Sequence, residues 1–176
     1  GRIDFFVSDM AATTHEKDQR GIASSREQAV TDPDSGVVPQ YSRNALLLNT
    51  GTKYFLEAAN LAGLAATDWT WSLRLEDLDN DGRLDVHVTN GMVREYQNAD
   101  LRDQIVHAET TAESRRIMRA SPEFPERHLA FRNLGNLQFQ DVSRAWGLDQ
   151  KAVSFGAAFG DLDGDNDQDM IIGDFA

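Results

Sequence analysis

The chain has 176 residues and a formal net charge of −12, with 29 acidic residues against 17 Lys and Arg residues. This acidity argues against a nucleic-acid partner, because a phosphate backbone attracts basic surfaces. Cysteine is absent, which excludes disulfides, thiolate metal sites and a cysteine nucleophile. No apolar run reaches the roughly 18 residues that a membrane span needs, so none is predicted.

Residues 1–9 are predicted to be the end of a truncated first repeat. They match Gly82–Asn90 position for position, so that Asp4 corresponds to Asp85. The chain is therefore expected to begin inside an acidic loop, to continue into a strand at Ile3–Val7, and to be a fragment of a longer repeat protein.

Residues 10–43 are interpreted as a polar insertion. The segment from Thr13 to Glu16 fits a helix capping box, but few apolar residues follow it. We therefore expect a loose, partly helical excursion here.

Residues 44–91 are predicted to form a repeat of four strands. Ala45–Asn49 and Lys53–Glu57 fit a hairpin closed by a tight turn. A stretch of small residues follows, and alternating apolar and polar residues then predict strands at Trp69–Leu75 and Leu84–Thr89. A loop of alternating Asp residues connects these last two strands.

This acidic loop has the spacing of a calcium site. Carboxylates at positions one, three and five converge only where the backbone curls around a common centre, and Gly82 at position six permits the sharp turn. Hard oxygen ligands suit calcium rather than a soft metal. The predicted ligands are four carboxylates and the backbone carbonyl of position seven, from Asp77, Asp79, Asp81, Asp85 and Arg83.

The loop has two alternative interpretations. An EF-hand needs a bidentate Glu at position twelve and flanking helices, whereas position twelve is Val88 and the flanks have strand periodicity. An acidic surface turn would explain a single copy about as well, since Asp, Asn and Gly gather in turns. A second copy further along the chain weakens that explanation.

Residues 92–127 are a second insertion, predicted to be helical. Asn98 is the expected N-cap of one helix. The apolar residues behind it are spaced by three and four positions, as on one helix face: Leu101, Ile105, Ala108 and Ala112.

Residues 128–176 are predicted to be a second repeat, also truncated. Its strands are expected at Leu129–Asn133, Leu137–Asp141, Val153–Phe159 and Met170–Gly173. Its acidic loop again offers four carboxylates and a carbonyl at position seven, from Asp161, Asp163, Asp165, Asp169 and Asp167. Position six is Asn166, a residue type that visits the left-handed region more readily than other non-glycine residues.

A fixed period relates the two repeats. Asn49, Phe55 and Asp77, among other landmarks, return 84 positions later as Asn133, Phe139 and Asp161. Such a period indicates a propeller or a solenoid.

The repeats resemble a known family. The resemblance is carried by Asn133–Ser143, by Trp146–Leu148 and by the run from Ser154 to Asp165. These residues are similar to the FG-GAP and VCBS repeats of integrin-like β-propellers, especially in bacterial secreted proteins that also carry an ASPIC/UnbV domain. The resemblance implies a propeller of seven or a similar number of blades. It also implies calcium between the first two strands of a blade, and a place outside the cytoplasm: extracellular, at the cell surface or periplasmic.

The sequence contains none of three common catalytic motifs. The sequence lacks a Gly-x-Ser-x-Gly elbow, a His-Glu-x-x-His helix and a Gly-rich phosphate loop. Chelation explains the Asp spacing better than a glycosidase acid and base pair does. Trp69 and Trp71 could form a sugar platform, but Val153 and Phe155 take their places in the second repeat, which favours core positions.

The expected fold class is therefore all-β with helical insertions. It is a β-propeller fragment with about two four-stranded blades and part of a preceding one, an open arc whose terminal strands leave edges that can pair with another chain. The expected function is a calcium-dependent, non-catalytic module for binding, adhesion or scaffolding, with a protein or glycan ligand. The alternative is the propeller domain of a secreted enzyme whose catalytic residues lie outside this segment.

Overall fold

A computed structural model of the chain describes residues 2–20, 42–95 and 98–175. Its strands are β1 (Phe5–Val7), β2 (Met10–Ala11), β3 (Ala45–Asn49), β4 (Phe55–Glu57), β5 (Asp68–Glu76), β6 (Asp85–Asn90), β7 (Glu126–Arg127), β8 (Leu129–Asn133), β9 (Phe139–Asp141), β10 (Lys151–Ala152), β11 (Ser154–Gly160) and β12 (Asp169–Asp174). Its helices are α1 (His15–Arg20), α2 (Ala59–Ala62), α3 (Ala99–Val106) and α4 (Thr111–Ala120). None of these helices has both the length and the apolar character needed to cross a bilayer.

The strands form three successive antiparallel sheets. Sheet I has the order β1-β3-β4, sheet II the order β2-β5-β6-β8-β9, and sheet III pairs β11 with β12. A short ribbon pairs β7 with β10. Strands β5, β6, β8 and β9 make one four-stranded antiparallel blade, and the predicted β-propeller fragment is confirmed as the fold class.

The sequence period and the sheets are out of phase. Of the four strands within residues 44–91, β3 and β4 belong to sheet I, whereas β5 and β6 belong to sheet II. The next period is divided in the same way between sheets II and III. Each period of the sequence therefore links two neighbouring sheets.

The predicted strands are all present, with shifted ends. Strand β9 begins at Phe139 rather than at the predicted Leu137, because Asn136 and Leu137 have positive φ angles of 52° and 60° that place them in the turn. The hairpin turns repeat in detail. Asn49 accepts a hydrogen bond from Gly51 N at 2.9 Å, and Asn133 accepts one from Gly135 N at 2.9 Å.

The hydrophobic core lies between sheets I and II. Strand β6 is buried along its whole length, and Val86 and Val88 on one of its faces are fully buried. They pack with Leu64, Leu129 and Phe131, and side chains of β1 and β3 cover this cluster. The opposite face of β6 points toward sheet III and carries polar residues.

The second insertion contains two helices where one was predicted. Asn98 is the N-cap of α3, as expected, and accepts from Asp100 N at 3.0 Å and Leu101 N at 3.3 Å. Thr110 then accepts from Glu113 N at 3.1 Å and starts a separate helix. The prediction of one continuous apolar face was wrong because this second cap divides the segment, so Ala112 lies on α4.

The first insertion begins with β2, which pairs with β5, and continues into α1, which is held to the sheet by charge. Thr14, rather than Thr13, caps the helix by accepting from Lys17 N at 3.3 Å. The Lys17 ammonium lies 2.6 Å from Asp68 Oδ2 and 2.8 Å from Glu126 Oε1. Burial alone would lower the pKa of Lys17. The hydrogen bonds and charges of the two carboxylates have a larger combined effect, so the pKa is raised overall. Residues 21–41 of the predicted insertion lie outside the described residues.

Candidate metal centre

Two acidic loops occupy equivalent places, each connecting two neighbouring antiparallel strands of its sheet. In the loop between β5 and β6, carboxylate oxygens of Asp77, Asp79 and Asp85 all lie within 4.8 Å of one another. In the loop between β11 and β12 the same holds for the second trio, Asp161, Asp163 and Asp169. Six of the eight carboxylates predicted as ligands are thus brought together.

The first Asp of each loop organises the backbone around it. Asp77 Oδ1 accepts from Asp81 N at 3.0 Å, and Asp77 Oδ2 accepts from Gly82 N at 2.8 Å. Asp161 similarly accepts from Gly164 N at 2.7 Å and from Asn166 N at 3.1 Å. The chain therefore curls around the position-one carboxylate, as the sequence spacing requires.

Two positions of each loop adopt the left-handed conformation. In the first loop these are Asn80 at position four, with φ 56°, and Gly82 at position six, with φ 84°. In the second loop Gly164 has φ 82° and Asn166 has φ 70°. Asn and Gly occupy these two positions in opposite order in the two loops. Both orders are tolerated, because Asn and Gly reach the left-handed region at the lowest cost. The prediction that Asn166 tolerates the left-handed conformation is confirmed, whereas the left-handed conformation at position four was not predicted.

Asp85 closes the first loop from inside the protein. Its side chain is fully buried, and it accepts from Leu78 N at 3.1 Å and Asn133 N at 2.7 Å. Burial raises the pKa of Asp85. The two N–H donors lower it and the charges of nearby carboxylates raise it, so that the overall shift is upward. Asp4 accepts from Asn49 N at 2.7 Å, which is the same bond one repeat earlier and agrees with the predicted correspondence.

Position five behaves differently from the trio. Asp81 forms ion pairs with Arg83 and, at 3.3 Å, with Arg132 Nη2. Burial tends to raise the pKa of Asp81, but the Arg83 N–H and these two guanidinium groups lower it overall. Asp165 accepts from Asp167 N at 2.9 Å and is exposed. Position five in each loop, and the carbonyls of position seven, stay predicted ligands.

One carboxylate oxygen of the first loop has no partner. Asp79 Oδ2 lies 2.6 Å from Arg132 Nε, whereas Asp79 Oδ1 is buried without a hydrogen-bond partner within the described part of the chain. A buried, unpaired carboxylate oxygen is costly unless a donor or a cation meets it. The donor set of this loop therefore fits a cation that takes oxygen ligands.

The two loops contact each other and differ in exposure. Asn80 Nδ2 donates to Asp167 Oδ1 at 2.6 Å, which joins the loops of sheets II and III. The carboxylates of the first loop are half-buried or buried, whereas residues 161–168 are exposed. The first loop also has two arginines beside it, so its local charge is less negative than that of the second.

The comparison with family models agrees with this geometry. Residues 31–88 match the model described as an FG-GAP-like repeat. Residues 31–88 therefore carry an FG-GAP-like repeat. The match covers about a third of the chain, from within the first insertion through the first acidic loop and into β6. No curated protein and no solved structure matches the chain.

The FG-GAP repeat is followed by a polar cluster that sequence inspection missed. Ser154 Oγ lies 2.8 Å from His128 Nε2 and donates to Asp174 Oδ1. His128 Nδ1 accepts from Asn90 N at 3.2 Å, so the neutral ring carries its proton on Nε2 and donates to Ser154. The serine proton therefore points to the carboxylate and not to a base, which is the wrong order for a nucleophile. No local sequence signal marks this cluster, because its members are far apart in sequence.

The aromatic residues at equivalent positions of the two sequence repeats are not all in the core. Trp71 is 46% exposed and Phe155 is 44% exposed, and their ring centroids lie 4.9 Å apart. The interpretation of these two positions as core was wrong, because no described element covers this side of β5 and β11. Val153 is buried and Trp69 half-buried, in line with the core interpretation for that pair.

We expect the stability of the protein to fall by about 2 kcal/mol between pH 7 and pH 5 because of His87. This residue is buried, and its ring nitrogens have no hydrogen-bond partner in the described segments. The centroids of its ring and of the Phe159 ring lie 5.8 Å apart. Burial, with a smaller contribution from His128, lowers the pKa of His87 to about 4. Since the unfolded chain binds the proton near pH 6.5, stability is present above that pH and is lost toward pH 4.

Urea denaturation at the two pH values measures this loss. The substitution His87→Leu should remove about 2 kcal/mol of the pH dependence, whereas His15→Gln, at an exposed position, should leave it unchanged. An equal pH dependence in all three proteins would contradict the assignment to His87.

Proposed function

We propose that this chain is the calcium-binding repeat region of an extracytoplasmic β-propeller, and that it acts as a non-catalytic module for binding, adhesion or scaffolding. The observation that carries the proposal is the buried, partnerless Asp79 Oδ1 within a carboxylate trio that recurs in the second repeat. A turn motif alone would not leave a carboxylate oxygen buried and unpaired.

Calcium is the cation whose chemistry fits best. It takes six to eight oxygen ligands in flexible geometry, whereas magnesium demands a strict octahedron and zinc favours nitrogen and sulfur. The proposed ligands of the first site are Asp77, Asp79, Asp81, Asp85 and the Arg83 carbonyl. Those of the second site are Asp161, Asp163, Asp165, Asp169 and the Asp167 carbonyl. Bound calcium would neutralise carboxylates that repel one another when the loops are empty.

The repeat supports a proposed setting for the module. FG-GAP repeats usually occur in extracellular proteins, and calcium is more available there for sites of modest affinity. We therefore propose an extracellular, cell-surface or periplasmic location, in a secreted protein of the kind that carries an ASPIC/UnbV domain. A protein or a glycan is the proposed ligand. The runner-up is a propeller domain attached to a secreted enzyme.

Titration calorimetry with calcium chloride tests the proposal. We expect two calcium ions per chain, one ion after Asp79→Ala or Asp163→Ala, and none after both substitutions together. The matched control is Glu123→Gln, which removes one exposed negative charge far from both loops in sequence and should keep both ions. Far-UV circular dichroism shows whether each variant remains folded. A stoichiometry near zero in the parent chain, or two ions in the double variant, would refute calcium binding by these loops.

A further inference from the structure

The second insertion contains an open cleft whose lining is basic. The cleft lies between the segment that follows β6 and the helix α4, and it has a volume of about 230 Å³. Three arginines and two apolar side chains line it: Val93, Arg94, Arg115, Met118 and Arg119. We refer to it as the arginine cleft.

The fold brings these arginines together from two directions. Arg115 and Arg119 are four residues apart on α4 and therefore share one face of the helix, with Met118 beside them. Arg94 approaches from the other wall. An antiparallel bridge fixes that wall, since Met92 N donates to Phe124 O at 2.8 Å and Phe124 N donates to Met92 O at 3.0 Å.

The Arg94 side chain is held in place before any ligand arrives. Its Nη1 donates to Ser121 O at 2.7 Å, and Ser121 is the C-cap residue of α4. The neighbouring carboxylate of Glu95 is already engaged by Arg20. A guanidinium has five N–H donors, so the donors not used by Ser121 remain available toward the cleft.

The positive charge of the cleft is not neutralised within the described residues. No carboxylate lines the cleft, and over that part of the chain neither Arg115 nor Arg119 has an ion pair, whereas Arg116 on the same helix lies 4.0 Å from Glu113. The negative end of the helix dipole favours Arg119 near the end of α4, and the C-cap carbonyl of that helix holds Arg94. Neither accounts for Arg115, which lies one turn earlier. In a chain with a net charge of −12, three converging arginines are unexpected on composition alone.

We propose that the arginine cleft binds an oxyanion group, a carboxylate or a sulfate or phosphate ester, on a small acidic ligand. Guanidinium groups match such oxyanions with paired, charge-assisted hydrogen bonds. Val93 and Met118 offer apolar contact to the body that carries the anion. The volume admits an oxyanion with several waters, since one water takes about 30 Å³ in the liquid. The acidic remainder of the chain repels long polyanions, which favours a single anionic group.

The test is an NMR titration of the arginine side-chain Nε–H signals. Sodium sulfate is added in one series and sodium acetate in another, with sodium chloride adjusted to keep the ionic strength constant. We expect saturable shifts at Arg94, Arg115 and Arg119. Tighter binding of sulfate would identify a sulfate or phosphate ester as the ligand group, and tighter binding of acetate a carboxylate.

Substitutions separate a built site from general charge. Arg115→Gln with Arg119→Gln should weaken anion binding at least tenfold, since the two substitutions remove charge-assisted hydrogen bonds to the oxyanion. Arg116→Gln is the matched control on the same helix and should change it little. All these arginines are exposed, so the variants should fold, which circular dichroism checks. Shifts that do not saturate, or that persist in the double variant, would overturn the proposal.

This inference does not depend on the proposed calcium sites. The titration is run once in excess calcium and once in chelator. Saturable anion binding in either condition supports the arginine cleft, whatever the calorimetry shows for the acidic loops.

Discussion

Replacing Asp85 with Ala is expected to destabilise the protein by about 3 kcal/mol even in the presence of a chelator. The fully buried carboxylate accepts from Leu78 N and Asn133 N. Removing it leaves both donors without a partner, and an unmet buried donor costs about 1–3 kcal/mol. Burial also raises the pKa of Asp85, which means that placing the charge there has a cost of its own and reduces the net loss.

Urea denaturation in chelator measures this effect, with Asp169→Ala as the matched control. Asp169 occupies the equivalent position in the second loop, but it is only half-buried, and its recorded acceptor bond is the one from Leu162 N at 2.8 Å. Its loss should cost about 1 kcal/mol. In excess calcium the Asp85 variant should lose further stability relative to the parent chain, because a site that binds only the native state is damaged. Equal losses for the two variants in chelator would contradict the role assigned to burial.

Replacing Gly91 with Ala is expected to destabilise the protein by about 3 kcal/mol, for reasons of backbone and space. Gly91 has φ +112°, a conformation that side-chain-bearing residues rarely adopt. An added Cβ would lie 2.3 Å from Ala152 O and 2.9 Å from Val153 Cα. The unfavourable φ costs about 1–2 kcal/mol and the overpacking about 1–3 kcal/mol.

Thermal and urea denaturation of this variant should be compared with Gly173→Ala. Gly173 lies within β12, but an added Cβ there would meet nothing within 4 Å and its φ is not in the left-handed region. That control should be neutral or slightly stabilising. A Gly91 variant as stable as the control would mean that the approach between the end of β6 and the segment before β11 is looser than described.

Much of the fold could be predicted from local pattern. Hairpin and alternation patterns located the four longer strands of each repeat but not the short strand β10. The fixed period located both acidic loops, because these features depend on neighbouring residues. The helix boundary at Thr110 was missed. A Thr side chain can cap a new helix or lie within a continuous one, and the spacing of apolar residues does not distinguish these two outcomes.

The site was predicted less completely, and the missing parts are long-range. The Asp spacing showed which side chains converge, but Arg132, which pairs with Asp79 and Asp81, is about 50 residues further along the chain. Burial of Asp85 depends on how sheet II packs, and exposure of Trp71 depends on what covers its sheet. Neither can be derived from one stretch of sequence.

The phase difference between period and sheet has a consequence for how such a chain can change its length in evolution. Because each period gives two strands to one sheet and two to the next, inserting or deleting one whole period changes the number of blades by one. At the new junction, each pair of strands still has a neighbouring pair that completes its sheet, wherever in the period the genetic breakpoints fall. Unequal recombination can therefore add or remove blades without leaving an unmatched strand at the join.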